Sequence, residues 1–170
     1  MKKLHHQVVL SVGCNMGDCS KTFLRATSAI EKEGIMITCK SSLYITQAWG
    51  NTEQNDFLNQ VWVAETTLKP LEVLSKLKSV EKLSGRWIHE KWQPRPLDMD
   101  ILFYDDLVFN DQELKVPHPY LAERKFVLVP LAEILPGMIH PQNQKTVIQI
   151  LRECRDNSTI TLLTSHAESD

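Results

Sequence analysis

The chain reads as an α+β sandwich, an antiparallel sheet with helices packed on it. Three observations predict this. Apolar residues alternate at period two near 35–45, 56–66 and 97–103. Two intervening segments, 19–33 and 70–85, repeat apolar residues at helical spacing, and a β-branched run at 7–12 precedes them all. Strand, helix, strand, strand, helix, strand is the βαββαβ order of a ferredoxin-like sandwich, with a C-terminal extension beyond it. At 170 residues and 42% hydrophobic content, one domain spanning 1–170 is expected, with a frayed tail at 166–170.

Charge and cysteine usage exclude several classes. Lys and Arg total 19 against 21 Asp and Glu, a formal charge of −2. Nothing there drives the chain toward nucleic acid or an anionic membrane. The apolar run Val8 to Val12 is too short for a signal peptide or a membrane span. Cys14, Cys19, Cys39 and Cys154 lack Cys-x-x-Cys spacing, so they are read as reduced thiols of a cytoplasmic protein, with Cys14 and Cys39 in the core. A monomer is expected.

Taken in order, Gln7-Val8-Val9-Leu10-Ser11-Val12 is a buried strand running into Gly13-Cys14-Asn15-Met16-Gly17-Asp18. Neither phosphate-loop glycine pattern is present there, which favours a plain strand-to-helix turn. The first helix carries Phe23, Leu24, Thr27 and Ile30 on one stripe and stops at Gly34. Ile35, Ile37, Cys39, Leu43 and Ile45 predict one long second strand. A polar loop with Trp49 follows. The strand over 56–66 then sets Phe57, Asn59, Val61 and Val63 on one face, so an aromatic and an amide point the same way. Such a pair can grip a flat heterocycle, although phenylalanine in a strand is usually core. Pro70 opens the second helix, Leu71, Leu74, Leu77 and Leu83 give it an apolar face, and Gly85 ends it.

Lys82, Arg86, His89, Lys91 and Arg95 then form a basic stretch leading into Trp92-Gln93-Pro94-Arg95-Pro96-Leu97-Asp98-Met99-Asp100-Ile101-Leu102-Phe103. On a strand Asp98 and Asp100 share one face while Leu97, Met99 and Ile101 take the other. Two carboxylates so placed repel unless a cation lies between them, and hard oxygen ligands beside phosphate favour Mg²⁺. A solvent-facing strand with two exposed acids is the bland alternative. Further on, Tyr104-Asp105-Asp106 suits a hairpin turn, Val116-Pro117-His118-Pro119 a rigid loop, 147–155 a short helix and 160–163 a last edge strand.

These residues resemble the 6-hydroxymethyl-7,8-dihydropterin pyrophosphokinase family. The run from Trp92 to Leu102 is similar to its signature, and four other blocks fall in the family's order. They are Val12-Gly13-Cys14-Asn15-Met16-Gly17, Ser41 to Thr46 with Asp56-Phe57-Leu58-Asn59, Val116-Pro117-His118-Pro119, and Arg124 to Leu131. Together they cover roughly residues 8–141. The resemblance implies transfer of pyrophosphate from ATP to the pterin hydroxymethyl group, releasing AMP. It implies that Asp98 and Asp100 bind two Mg²⁺ ions and that Arg86 and Arg95 stabilise the transferring group. It places ATP against Lys78, Glu81, His118 and Arg124. The pterin would stack between Phe57 and Phe126, read by Asn59, completed by Thr46 and Trp49, and covered by Trp92. The chain departs from the pattern at Cys14, Gln47-Ala48, Lys78, Gln93 and Pro119. Two other readings stay open on the residues alone: a different Mg²⁺-dependent nucleotidyltransferase, which would release pyrophosphate, and a non-catalytic ligand-binding module, which would survive loss of either aspartate.

Overall fold

The computed structural model describes residues 5–47, 53–85 and 96–164. Strand β1 (His6–Cys14) leads into α1 (Cys19–Lys32), then β2 (Ile35–Lys40), β3 (Tyr44–Thr46) and β4 (Phe57–Thr66). Helix α2 (Pro70–Leu83) precedes β5 (Asp98–Tyr104), and β6 (Phe109–Asn110) pairs with β7 (Lys115–Val116) in a small hairpin. A 3₁₀ turn at Leu121–Glu123, α3 (Lys125–Ile134), α4 (Val147–Glu153) and β8 (Ile160–Leu162) complete the described elements. The main sheet runs β5-β1-β4-β3-β8, with β2 also pairing to β4, and every pairing is antiparallel.

Strand alternation divides the core in two. Val8, Leu10, Val12, Trp62 and Ala64 face α1 and α2, meeting Phe23, Ala26, Ile30, Val73, Leu77 and Val80. Val9, Val61 and Phe103 face the other way, against Val127, Leu128 and Leu131 of α3 and Val147 and Ile150 of α4. Each such buried side chain contributes about 1.5–3 kcal/mol of transfer free energy. Local signals fix the helix ends. The Asp18 side chain accepts from Lys21 N at 3.1 Å to start α1, while Gly34 (φ 87°) and Gly85 (φ 91°) take left-handed turns after α1 and α2.

Four expectations are corrected. The long strand over 35–45 is two strands, because Ser41 replaces a ladder residue: its N–H donates to Val61 O at 2.9 Å and its hydroxyl accepts from Val61 N at 3.0 Å. The register of β2 against β4 also shifts between Ile37 and Cys39, which leaves Cys39 exposed instead of in the core. Cys14 is buried as expected, but it is not a free thiol. The β1–α1 turn brings it within 5.7 Å (Cα–Cα) of Cys19, and the two form a disulfide. Finally, Leu24, Leu71 and Leu83 are exposed (67%, 39% and 84%), because Ala26, Val73 and Val80 complete the buried stripes instead.

Helix α3 is tied to β3 by one carboxylate. Glu133 Oε1 accepts from Ser42 N (2.9 Å) and Ser42 Oγ (2.8 Å), and Oε2 accepts from Tyr44 Oη at 2.5 Å. Partial burial opposes ionisation of Glu133, but the hydrogen bonds from Tyr44 and Ser42 outweigh it and hold the carboxyl below its ordinary 4.5. Burial and the same carboxylate push the Tyr44 hydroxyl up to about 12. A depressed carboxyl stabilises the fold above its unfolded value and loses that contribution as pH falls through its folded value. Glu133→Ala is therefore expected to cost about 1 kcal/mol at pH 7, discounted for its partial exposure. In denaturant melts the gap from wild type should shrink below pH 4.5. A gap that is constant with pH would contradict the charged acceptor.

Candidate active site

The antiparallel register aligns the candidate residues in rows across the sheet. Asp98 of β5 pairs with Gly13 of β1, Gly13 with Asn59 of β4, and Asn59 with Tyr44 of β3. One row deeper, Asp100 pairs with Ser11 and Ser11 with Val61. Directly opposed residues project to the same face, and Tyr44 identifies that face as the one covered by α3. Gly13 keeps the row open: a Cβ there would lie 3.1 Å from Asn59 Oδ1. A glycine within a strand pattern is the signal that could have marked this position from sequence, since it often denotes close approach.

At the β4–β3 end, Asn59 and Thr46 are both buried, and Asn59 Nδ2 donates to Thr46 Oγ1 at 2.8 Å. Phe57 shares the Asn59 face, half-buried. Phe126, on the first turn of α3, is partly buried against the α3-side core. The Arg124 guanidinium lies 5.9 Å from the Phe126 ring centre and 5.4 Å from that of Tyr120.

At the β5 end, Asp100 Oδ2 stands 3.8 Å from Arg124 Nη1 and 3.9 Å from His118 Nε2. These separations exceed hydrogen-bond length but lie within ion-pair range, so the groups face one another as charges and dipoles without a direct hydrogen bond. The His118 backbone N–H donates to Leu102 O at 3.0 Å, which pins the loop to β5. Its Nδ1 accepts from Tyr120 N at 3.2 Å, so the neutral ring carries its proton on Nε2, toward Asp100. Burial, then the Arg124 charge, lower the His118 pKa to about 4, against an opposing pull from Asp98.

The strand bearing the aspartates is held from behind. Buried Glu81 of α2 accepts through Oε1 from Met99 N at 2.7 Å, between Asp98 and Asp100. As an edge strand, β5 has outward N–H groups that need partners, and Glu81 supplies one. Lys78 lies exposed on α2, which packs on the opposite face, and makes no ion pair with Asp98 or Asp100 among the described residues. Arg86, Trp92, Arg95 and Trp49 lie outside the described residues.

Asp98 and Asp100 are therefore the described side chains that could hold a divalent cation. Among the described residues no group of three His, Cys, Asp or Glu side chains forms a protein-only cage. A pair of half-exposed carboxylates fits a hard cation that keeps waters and takes its other ligands from a bound phosphate. Fold and site together define an α+β protein with an acidic, strand-borne site beside a buried amide.

Comparison with known proteins makes this specific. The sequence pattern of the 7,8-dihydro-6-hydroxymethylpterin-pyrophosphokinase family matches residues 9–136, and the chain belongs to that family. It is 43% identical over 153 residues to the 2-amino-4-hydroxy-6-hydroxymethyldihydropteridine pyrophosphokinase of Aquifex aeolicus, covering 90% of this chain and 92% of that protein. The Synechocystis protein of the same name is 37% identical, over 87% of this chain and 76% of its own length. A mitochondrial folate synthesis bifunctional protein of Arabidopsis thaliana is 39% identical over 82% of this chain, which spans only 25% of it. Among solved structures, the Plasmodium falciparum HPPK-DHPS protein superposes with a TM-score of 0.70 at 18% identity, over 88% of this chain and 41% of that one. That likeness supports the fold alone.

Two measurements check the geometry. The ring of His118 should titrate in NMR near 4, with the neutral form at pH 7; its stabilising contribution should be present above 6.5 and fade as pH falls toward 4. A midpoint near 6.5 would contradict the buried, Arg124-facing placement. Gly13→Ala should lower stability by about 1 kcal/mol as Asn59 is pushed aside. An unchanged melting point would show that Asn59 yields freely.

Proposed function

We propose that this chain carries out its family's reaction: transfer of the β,γ-pyrophosphoryl group of ATP to the hydroxymethyl oxygen of 6-hydroxymethyl-7,8-dihydropterin, with release of AMP, in folate biosynthesis. The observation that carries the reading is the row Asp98–Gly13–Asn59, which sets a carboxylate and a buried amide side by side on one sheet face. The hydroxymethyl oxygen bonds to the β-phosphorus and loses its proton. The bond from that phosphorus to the α,β-bridging oxygen breaks, and AMP leaves with that oxygen.

Each side chain has a part. Asn59, oriented by Thr46, presents a fixed amide to the donor–acceptor edge of the pterin. Phe57 and Phe126 are read as its stacking faces, and Trp49 and Trp92, outside the described residues, as further pterin contacts. His118 offers a neutral Nε2–H donor and Arg124 a cation to the phosphates, while Arg86 and Arg95, outside the described residues, are read as stabilising the transferring group. Mg²⁺, held as two ions by Asp98 and Asp100, supplies charge neutralisation and alignment of the triphosphate when bound. Lys78 and Glu81 are read as nucleotide contacts reached around the β5 edge, and Glu81 already supports that edge through Met99.

The order β5-β1-β4 with β2 and β3 beyond supports reading the core as a ferredoxin-like βαββαβ sandwich with a C-terminal extension. We read residues 1–170 as one such domain, monomeric and cytoplasmic, taking small molecules and neither nucleic acid nor membrane. None of its described helices is long and apolar enough to cross a membrane.

Incubating the protein with Mg²⁺, ATP and hydroxymethyl-dihydropterin should yield AMP and pterin diphosphate. Formation of ADP, or absence of pterin-dependent turnover, would overturn the reading. Asp98→Ala and Asp100→Ala should each reduce turnover by about a thousandfold or more with the fold retained, as expected where charge stabilisation dominates catalysis. Near-normal rates at saturating Mg²⁺ would remove those residues from the site.

A further inference from the structure

Helix α3 begins in the site, with Arg124 at its N-cap and Phe126 in its first turn, yet the Arg124 side chain caps none of its N–H groups. Helices α1 and α4 are capped locally, by Asp18 and Thr146. The first N–H of α3 is met from far along the chain: Asp156 Oδ2 accepts from Lys125 N at 3.0 Å. Asp156 Oδ1 accepts from Ser158 N at 2.9 Å, and Lys125 Nζ donates to Ser158 O at 3.2 Å, which closes a small ring of contacts between the two segments.

The same segment then continues to the other wall of the pocket. Ile160 pairs with Thr46, Thr161 with Ile45 and Leu162 with Tyr44, and Leu163 N donates to Leu43 O at 2.8 Å. Residues 156–163 therefore bridge the helix start that carries Arg124 and Phe126 to the strand that carries Thr46. This bridge lies beyond residues 9–136, the part matched by the family pattern.

We propose that the 156–163 segment is a strap that sets the separation of the two pocket walls, and that Asp156 is its positioning residue. Asp156 is half-buried at the N-terminal end of α3, where a carboxylate is favoured by the helix dipole and by the unmet N–H groups. Burial works against its ionisation, but the bonds from Ser158 and Lys125 keep its carboxyl below the usual value. Without it the first turn of α3 loses a fixed anchor, and Phe126 and Arg124 shift relative to Asn59 and Asp100. A positioning residue of this kind acts on substrate binding more than on the chemical step. The proposal rests on reading Arg124 and Phe126 as substrate-facing.

Steady-state kinetics on the full chain test it. Asp156→Ala should raise KM for pterin and ATP about five- to tenfold while kcat changes by about twofold or less. Lys125→Pro removes the N–H that Asp156 accepts, at a helix position proline suits, and should raise KM similarly even if Asp156→Ala is too unstable to assay. Lys125→Ala keeps that N–H and should leave KM near wild type. Unchanged KM in Asp156→Ala or in Lys125→Pro would overturn the strap's positioning role, provided Phe126→Ala and Arg124→Ala raise KM as expected. If those two also leave KM unchanged, the start of α3 is not substrate-facing, and both the site reading and the strap fall together. An equal rise in Lys125→Ala would assign the effect to the lysine side chain and likewise overturn the role of Asp156.

Discussion

Everything in this site depends on antiparallel register. Because β5, β1, β4 and β3 lie side by side, Asp98, Gly13, Asn59 and Tyr44 fall in one line although they are far apart in sequence. A slip of one residue in any pairing would turn a carboxylate or the amide into the opposite core. The alternation of Val8, Leu10 and Val12 against Val9 forbids such a slip, since it would move each apolar set away from its helices. The hydrophobic pattern thus fixes not only the fold but the placement of the acid pair relative to the buried Asn59 amide.

Two further constraints hold that line still. On one side, β5 is an edge strand, and Glu81 from the opposite helix layer bonds the N–H between the two aspartates. On the other, α3 is fastened at both ends, by Glu133 to Ser42 and Tyr44 and by Asp156 at Lys125. Between these supports Asp100 faces Arg124 and His118 at 3.8 and 3.9 Å, so one acid and two nitrogen donors meet at the β5 end of the row.

What the sequence could tell followed from short-range physics. The Asp-x-Asp pair on an apolar strand, the glycine stops at Gly34 and Gly85, and the shared face of Phe57 and Asn59 all depend on alternation or local φ. The features it concealed depend on partners distant in the chain. Ser41 breaks the long strand only because Val61 lies opposite its hydroxyl. Cys14 and Cys19 meet only because the turn folds back. Leu83 reads as part of an apolar stripe, but the buried face of α2 is carried by Val73, Leu77 and Val80. Asp156 looks like any acid in a polar tail until β8 pairs with β3 and brings it under α3.

The most direct measurement is a crystal structure with Mg²⁺, an ATP analogue carrying a non-cleavable α,β linkage, and hydroxymethyl-dihydropterin. The register account predicts both ligands on the α3 face, with the heterocycle edge on Asn59 and Thr46 and the phosphates between Asp98, Asp100, His118 and Arg124. Ligands seated on the α1–α2 face, or a pterin that leaves Asn59 untouched, would contradict it.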